Sequence, residues 1–327
     1  MQRVTNSILV ANFLNGMNRN IGNMSILQNQ LSSGKLINRA SDDPYGATRM
    51  MQLNSEITEN KQYNDNIKNS SNWLDTTDSA LSQAGNVFAR IKELMVKAGD
   101  GAYGKDEIAT IKNEVVQKVT ELGTILNSSF DGNYIFGGTK STSKPVIVDS
   151  NGAISYADKD GTALATGAAG TAADPNAYAQ IKAGLKAEIS QGVTVNYNKT
   201  AVDVLEFNDA TGAPLKVSAV LNDIINNLGT SSTADLSKVN GQNSTDMDSI
   251  IKNLLKCRAD VGSMQNGMES AQSANEDQTY NMTSILSSVG DVDYTQKTME
   301  YSVAQTVYTA ALQTSSKVLS KTLLDYL

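Results

Sequence analysis

Apolar residues recur every three or four positions along one stretch of the chain, from Met247 to Val289. A repeat of this length predicts a single long helix with a narrow apolar stripe, the pattern typical of coiled coils. At about 1.5 Å per residue the helix would be roughly 65 Å long. Such a stripe is not stable in water, so the sequence predicts other long helices beside it. The stripe residues are Met247, Ile250, Leu254, Cys257, Val261, Met264, Met268, Ala271, Asn275, Gln278, Met282, Ile285 and Val289.

The beginning of the chain carries a second stripe of the same kind, which predicts a helix from about Asn6 to Ser33. Gly34 then ends the helix as a C-cap. The outer face is mostly Asn, Ser and Gln rather than Lys and Glu, so it lacks the charges of a solvated coiled coil. This face suits packing against other protein, although a simple solvated helix remains open. The stripe residues are Val10, Leu14, Met17, Ile21, Met24, Gln28 and Leu31.

A second long helix is predicted from Pro44 to about Ala98. The adjacent carboxylates before it, Asp42 and Asp43, could serve acid–base chemistry. We favour a structural interpretation, because an Asp followed by Pro at the first helical position is a typical N-cap and complements the helix dipole. Within this helix two Asn residues take stripe positions, where a buried Asn fixes register at a cost in stability. They could equally face solvent if the helix rotates there; the two are Asn60 and Asn64.

The middle of the chain, residues 139–243, differs in character from its flanks. Short β-rich runs alternate with Gly, Asn and Asp turns, and Val202–Val204 is one of these runs. The turns that begin at Asp149 and Asp158 faintly resemble calcium loops but lack the full ligand spacing, so we expect hairpin turns. Gly229 to Ser244 is predicted to be a polar linker.

A last amphipathic helix is predicted from Tyr294 to the end of the chain, after an interruption around Gly290. Together these patterns predict a mainly α protein with a β-rich insert, in which the terminal helices pair as a coiled coil beside a bundle of long helices. The predicted domains are residues 1–43 with 292–327 for the coiled coil, 44–138 with 244–291 for the bundle, and 139–243 for a β-rich outer domain.

Composition excludes several classes of function. The 327 residues carry a net charge of −7 and a pI of about 4.8, which argues against nucleic acid as a partner. The chain has no His, the usual general base and commonest metal ligand. Its one Cys, Cys257, lies in the long stripe, so we expect a buried thiol. The sequence has no run of about 18 apolar residues, so it predicts no membrane span. We therefore expect no catalysis, no cofactor, no metal and no membrane partner.

Four segments carry a resemblance to a known family. LSSGKLINRASDDPYG, from Leu31 to Gly46, follows the first stripe and resembles the bacterial flagellin family, over roughly residues 1–138 and 245–327. Within that family, three further segments resemble the hook-associated subgroup at the hook–filament junction rather than filament flagellin. They are RVTNS at residues 3–7, GNYIFGG at 132–138 and LLDYL at 323–327.

The resemblance implies a structural subunit of the bacterial flagellum that joins the hook, through the first hook-associated protein, to the flagellin filament. It also implies self-association in a ring, an export chaperone before assembly, and type III export to the extracellular flagellum without a cleaved signal peptide. Filament flagellin is the alternative. We expect assembly contacts at Val10, Leu14, Met17, Ile21, Met24, Leu31, Asn38, Arg39, Asp42, Asp43, Val303, Val307, Leu319, Leu323, Leu324 and Leu327.

Overall fold

The structure is a computed structural model that describes residues 6–99, 103–164, 175–209, 211–230 and 232–318. It divides into two compact units. One, the terminal unit, comprises Met1–Lys61 and Asp277–Leu327, and the other, the central unit, comprises Gln62–Glu276. The predicted class, mainly α with a strand-containing middle region, is confirmed. The division into three domains stays a prediction.

Long helices dominate the described residues, and short hairpins lie between them. The helices are α1 (Asn6–Ser33), α2 (Pro44–Ala98), α3 (Lys105–Leu126), α4 (Pro175–Lys182), α5 (Ala201–Leu205), α6 (Val217–Thr230), α7 (Thr233–Asn240), α8 (Gln242–Gly290) and α9 (Tyr294–Val318). The strands form antiparallel pairs: β1 (Ser129–Phe130) with β2 (Asn133–Tyr134), β3 (Val146–Val148) with β4 (Ile154–Tyr156), β5 (Lys186–Ser190) with β6 (Val193–Asn196), and β7 (Glu206–Asn208) with β8 (Pro214–Lys216).

In the terminal unit, α1 and α9 pack along each other and run antiparallel. Gly34 ends α1 in the left-handed conformation, with φ +70°, as the predicted C-cap. The next residue, Lys35, forms an antiparallel bridge with Asp291, just before α9 begins. Farther along the pair, the Asn20 amide donates to the carbonyl of Ala304 at 3.0 Å.

A small core in the terminal unit forms where the start of α2 meets the end of α8. It contains the buried side chains of Leu53, Ile57 and Met282. One turn along α2, Asn60 is 4% exposed and its amide donates to the Thr279 hydroxyl at 3.1 Å. Asn60 is thus a buried, hydrogen-bonded Asn, as one of the two interpretations of the sequence expected.

The buried face of α8 follows the predicted stripe as far as Asn275 and includes the predicted Met282 and Val289 beyond it. The prediction is wrong at Gln278 and Ile285, which are exposed, whereas the next residues, Thr279 and Leu286, are half-buried in their place. The reason is geometric. On a straight helix, positions seven residues apart are offset by about 20° per heptad. Over several heptads the residues of a strict seven-residue repeat therefore rotate away from one fixed face.

The core of the central unit joins α2, α3, α6 and α8 with the β hairpins. Its fully buried side chains include Phe88 on α2 and Leu122 on α3, and the α8 residues Met247 and Leu254 belong to the same core. The long apolar stripe therefore packs in a multi-helix core, as its length predicted.

Hairpin turns in the central unit use Asp and Gly at fixed positions. The Asp149 carboxylate accepts from the backbone N–H groups of Asn151 and Ala153 at 2.9 and 2.7 Å, and Gly152 closes the turn with φ +85°. Gly161 closes the turn that begins at Asp158 in the same way, with φ +76°. These carboxylates serve hairpin turns, as expected.

Two details of the middle region were predicted wrongly. Val202–Val204 lies in helix α5 rather than in a strand, because Thr200 and Asp203 form a capping box that starts a helical turn. The predicted polar linker from Gly229 to Ser244 contains α7 and the first residues of α8. Ser232 caps α7 by accepting from the Asp235 N–H at 3.2 Å.

Candidate assembly surface

The paired terminal helices carry one half-buried stripe on α1, which packs along α9. Its residues recur at spacings of three and four, as the hydrophobic positions of a coiled coil do. They are Val10, Phe13, Met17, Asn20, Met24, Leu27 and Leu31. The pair is therefore held by a mixed stripe that also includes Asn20, whose amide bonds to α9.

A second set of apolar side chains on the same helices has no cover from the described residues. On α9, Met299, Val303 and Val307 are 64%, 58% and 53% exposed and lie four residues apart, so they line one face. On α1, Leu14 and Ile21 are also exposed, one heptad apart. We call these five residues the exposed stripes. Contiguous apolar surface of this kind marks an interaction site.

The residues of α9 that are half-buried are less apolar than those that are exposed. Its half-buried positions include Tyr301, Ala304 and Tyr308. Ala304 allows close approach to α1, where Asn20 bonds to its carbonyl. The more apolar side chains, Val303 and Val307, are exposed instead of packing on α1. This arrangement is expected of a helix that has a second partner.

The loop between α1 and α2 holds four of the predicted assembly residues. Asp43 caps α2, since its carboxylate accepts from the N–H groups of Tyr45 and Gly46, both at 3.1 Å. The Asp42 carboxylate accepts from the Arg39 N–H at 3.0 Å and so closes a local turn. Both aspartates therefore have structural roles, as the N-cap interpretation expected.

A groove of about 510 Å³ lies beside this loop, within the terminal unit. Its lining includes the exposed side chains of Ile26 and Leu36 as well as Asn38, Arg39 and Asp42. Because its lining combines apolar and charged side chains, the groove is a second part of the candidate surface, near the C-terminal end of α1.

One ion pair fastens this end of the terminal unit. Lys35 Nζ lies 2.6 Å from Asp291 Oδ1, and the ammonium together with the Ser287 hydroxyl lowers the pKa of the Asp291 carboxyl. Both partners are substantially exposed, so the pair contributes little to stability and chiefly fixes local geometry.

The structure accounts for some of the predicted assembly residues and not for others. Val10, Met17, Met24 and Leu31 belong to the half-buried stripe, whereas Leu14, Ile21, Val303 and Val307 belong to the exposed stripes. Leu319, Leu323, Leu324 and Leu327 lie outside the described residues. Met299 was not among the predicted assembly residues, although its spacing of four from Val303 could have placed it there.

The described residues contain no group of three His, Cys, Asp or Glu side chains that could hold a metal ion. Cys257 is 4% exposed, and burial raises the pKa of its thiol to about 11, so it is a core residue. No described helix has a stretch long and apolar enough to cross a membrane.

Long terminal helices that pair, with inner helices that lead into a strand-containing middle, define the architecture in which this surface is placed. Residues 4–141 match the bacterial flagellin N-terminal helical region, and residues 245–327 match the C-terminal helical region. Together the matches cover more than half of the chain, so it belongs to the bacterial flagellin family and is a structural component of the bacterial flagellum.

The relatives include both a hook-associated protein and flagellins. Flagellar hook-associated protein 3 of Escherichia coli is 24% identical over 300 residues, covering 88% of this chain and 86% of the relative. Flagellin of Bacillus subtilis is 25% identical over 303 residues, covering 91% and 90%. The chain spans about a third of the length of the first curated relatives that it matches, which are filament core proteins and flagellins.

Among solved structures, hook associated protein-3 of Legionella pneumophila superposes with a TM-score of 0.59. The sequences are 14% identical, and the match covers 73% of this chain and 98% of that chain. At this identity the similarity establishes a shared fold.

Proposed function

We propose that this chain is a non-catalytic structural subunit that joins the hook, through the first hook-associated protein, to the flagellin filament. In this proposal several copies form a ring, and each copy reaches the outside through the flagellar type III export apparatus after release from a chaperone. The proposal rests on family membership and on the surface of the terminal helices.

The observation that carries the proposal is the exposed stripe on α9. Met299, Val303 and Val307 stand in water on a helix whose other face already packs on α1. Burying such a stripe contributes about 25 cal/mol per Å² of apolar surface, which favours association of helices from several copies. A ring subunit needs this kind of side-to-side contact, and a monomeric enzyme does not.

A separate observation favours a role at the hook–filament junction over a role as filament flagellin. The run Gly132–Gly138, which resembles the hook-associated subgroup, connects the middle region to the helices. Ile135 and Phe136 are fully buried, and the Phe136 carbonyl accepts from the Ala201 N–H at 2.9 Å. Gly138 has φ +61°, and a Cβ there would collide with the backbone of α4. The match to the subgroup thus falls on residues that this fold needs.

Localisation on isolated flagella tests the proposal. The antibody should be raised against residues 142–244, which lie outside both family matches, so that it does not cross-react with flagellin through the helical regions. We expect immunogold label confined to the boundary between hook and filament. Label along the whole filament would contradict the junction proposal and identify the chain as filament flagellin.

A second measurement separates the same alternatives in vitro. The purified chain should not grow into long filaments alone under conditions in which flagellin of the same organism does. Long filaments of the purified chain would favour the flagellin alternative.

A further inference from the structure

A pocket of about 390 Å³ opens in the central unit, and none of its lining residues belongs to α1 or α9. It lies between the first turns of α2 within that unit, the turn that joins β1 to β2, and strand β5. Its lining includes Trp73, Phe130, Tyr197, Asn69, Asp131 and Lys186. A volume of this size falls within the range of small-molecule sites.

The aromatic part of the lining is fixed by edge contacts. The ring centroid of Trp73 lies 6.2 Å from that of Phe130 and 5.9 Å from that of Tyr197, both near perpendicular. Trp73 is 7% exposed, yet its indole N–H has no hydrogen-bond partner in the part of the chain that the structure describes. The Nε1 atom is itself buried, so a ligand in the pocket does not contact it, and Trp73 instead supports the Phe130 and Tyr197 rings.

The polar side chains that line the pocket differ in whether they hydrogen-bond to the rest of the protein. The Asn66 amide donates to the Glu188 carbonyl at 3.0 Å, and the Asn133 amide oxygen accepts from the Ser141 hydroxyl at 2.9 Å. By contrast, the side chains of Asn69, Asp131 and Lys186 make no hydrogen bond or ion pair to any residue that the structure describes. The hydrogen-bonded side chains fix the walls of the pocket, while the other three side chains are able to contact a ligand.

This combination selects a ligand class. The lining carries both a carboxylate, Asp131, and an ammonium, Lys186, so a strongly anionic or cationic ligand would meet one like charge. An apolar ligand would displace water from the exposed Asn69, Asp131 and Lys186 side chains without replacing its hydrogen bonds. Hydroxyl groups both donate and accept, so they suit all of these partners at once.

We infer that this pocket binds a neutral sugar residue. Its C–H face packs against the Phe130 and Tyr197 rings, while its hydroxyls accept from the Asn69 amide and Lys186 and donate to Asp131. The left-handed conformation of Asp131, with φ +50°, sets its carboxylate at the tip of the β1–β2 turn beside the pocket. Neither the self-association proposed above nor any metal is needed for this binding.

The test uses the only tryptophan of the chain, Trp73, as a reporter inside the pocket. The purified full chain is titrated with the methyl glycosides of glucose, galactose, mannose and N-acetylglucosamine, and separately with N-acetylneuraminic acid. We expect a saturable change in Trp73 emission with at least one neutral glycoside in the millimolar range, and weaker or no response to the acid.

Two variants and a control assign the response to the pocket. Asn69→Ala and Asp131→Asn should each weaken binding about threefold, the effect of losing or weakening one hydrogen bond at a site that stays partly in water. Asn tolerates the left-handed conformation that Asp131 adopts. Asn113→Ala, an exposed Asn on α3 outside the pocket, should leave binding unchanged. The emission spectrum and melting temperature of each variant without sugar should equal those of the parent.

Three results would overturn the inference. The first is the absence of a saturable response to every neutral glycoside. The second is a response that Asn113→Ala weakens as much as Asn69→Ala does. The third is tighter binding of N-acetylneuraminic acid than of any neutral glycoside, because it would show that the pocket selects charge.

Discussion

Neighbouring leucines on α8 offer a sharp test of the packed core. Leu254 is 2% exposed and packs so closely on α2 that a Cβ added at Gly85 would lie 3.3 Å from its Cδ2 atom. Leu255, the next residue, is 56% exposed. Leu254→Ala and Leu255→Ala therefore make the same chemical change on the same helix, with burial as the main difference. Helix propensity cannot separate them, since both changes replace Leu by Ala.

The expected magnitudes follow from the burial. Leu254→Ala removes three buried carbon groups at about 0.8 kcal/mol each, and the cavity left behind adds to this, so the loss should be about 3–4 kcal/mol. Leu255→Ala removes groups that are already half in water and leaves no cavity, so the loss should be about 1 kcal/mol or less.

Urea unfolding followed by Trp73 fluorescence measures the difference, since Trp73 belongs to the same core as Leu254. The midpoint should fall for Leu254→Ala while the slope of free energy against urea stays constant, which shows a change in stability alone. Equal midpoints for the two variants would refute the assignment of this face of α8 to the core.

Three further changes test other parts of the structure. Asp43→Ala should reduce the free energy of unfolding by about 0.5–2 kcal/mol because it removes the cap of α2, whereas Asp42→Ala should have a smaller effect; equal losses in urea titrations would argue against the cap. The Cys257 thiol, with its pKa raised to about 11, should react with a disulfide reagent at pH 8 only after unfolding, and prompt reaction of the folded chain would show that the thiol is accessible. Because that pKa is raised above the unfolded value of about 8.5, the stability that Cys257 contributes should be lost as pH rises from 8.5 toward 11. A Cys257→Ala variant should lose less stability over this range, and parallel pH profiles would contradict the assignment.

Sequence pattern was sufficient where local chemistry decides the structure. Asp43 before Pro44 gave the start of α2, and Gly34 gave the end of α1, because capping depends on a few adjacent residues. The apolar repeat from Met247 gave the existence of α8. Beyond Asn275 it was wrong at Gln278 and Ile285, because the repeat and the straight helix differ by a small angle that accumulates with length.

Sequence pattern was insufficient where the partner decides the structure. On α9 the strongest hydrophobes, Val303 and Val307, are exposed, and Tyr301 and Ala304 are half-buried against α1. Apolarity shows that a face will be covered, but not whether the same chain or another copy covers it. The sugar pocket was beyond prediction for a related reason, since folding alone brings residues as distant as Asn69 and Lys186 to one site.

The central claim is that the exposed stripes hold the subunit in the flagellum. The most direct measurement is complementation of a strain that lacks this chain, using the double variant Val303→Asp with Val307→Asp. The control is Val193→Asp, which makes the same Val-to-Asp change once, on a valine that is 49% exposed in the central unit.

Immunogold label at the hook–filament boundary and the amount of the chain in the culture medium are the two readouts. The account predicts that the double variant is exported and found free in the medium, with no label on hooks and no filaments, while the control labels the boundary as the parent does. Normal labelling and normal filaments with the double variant would contradict it.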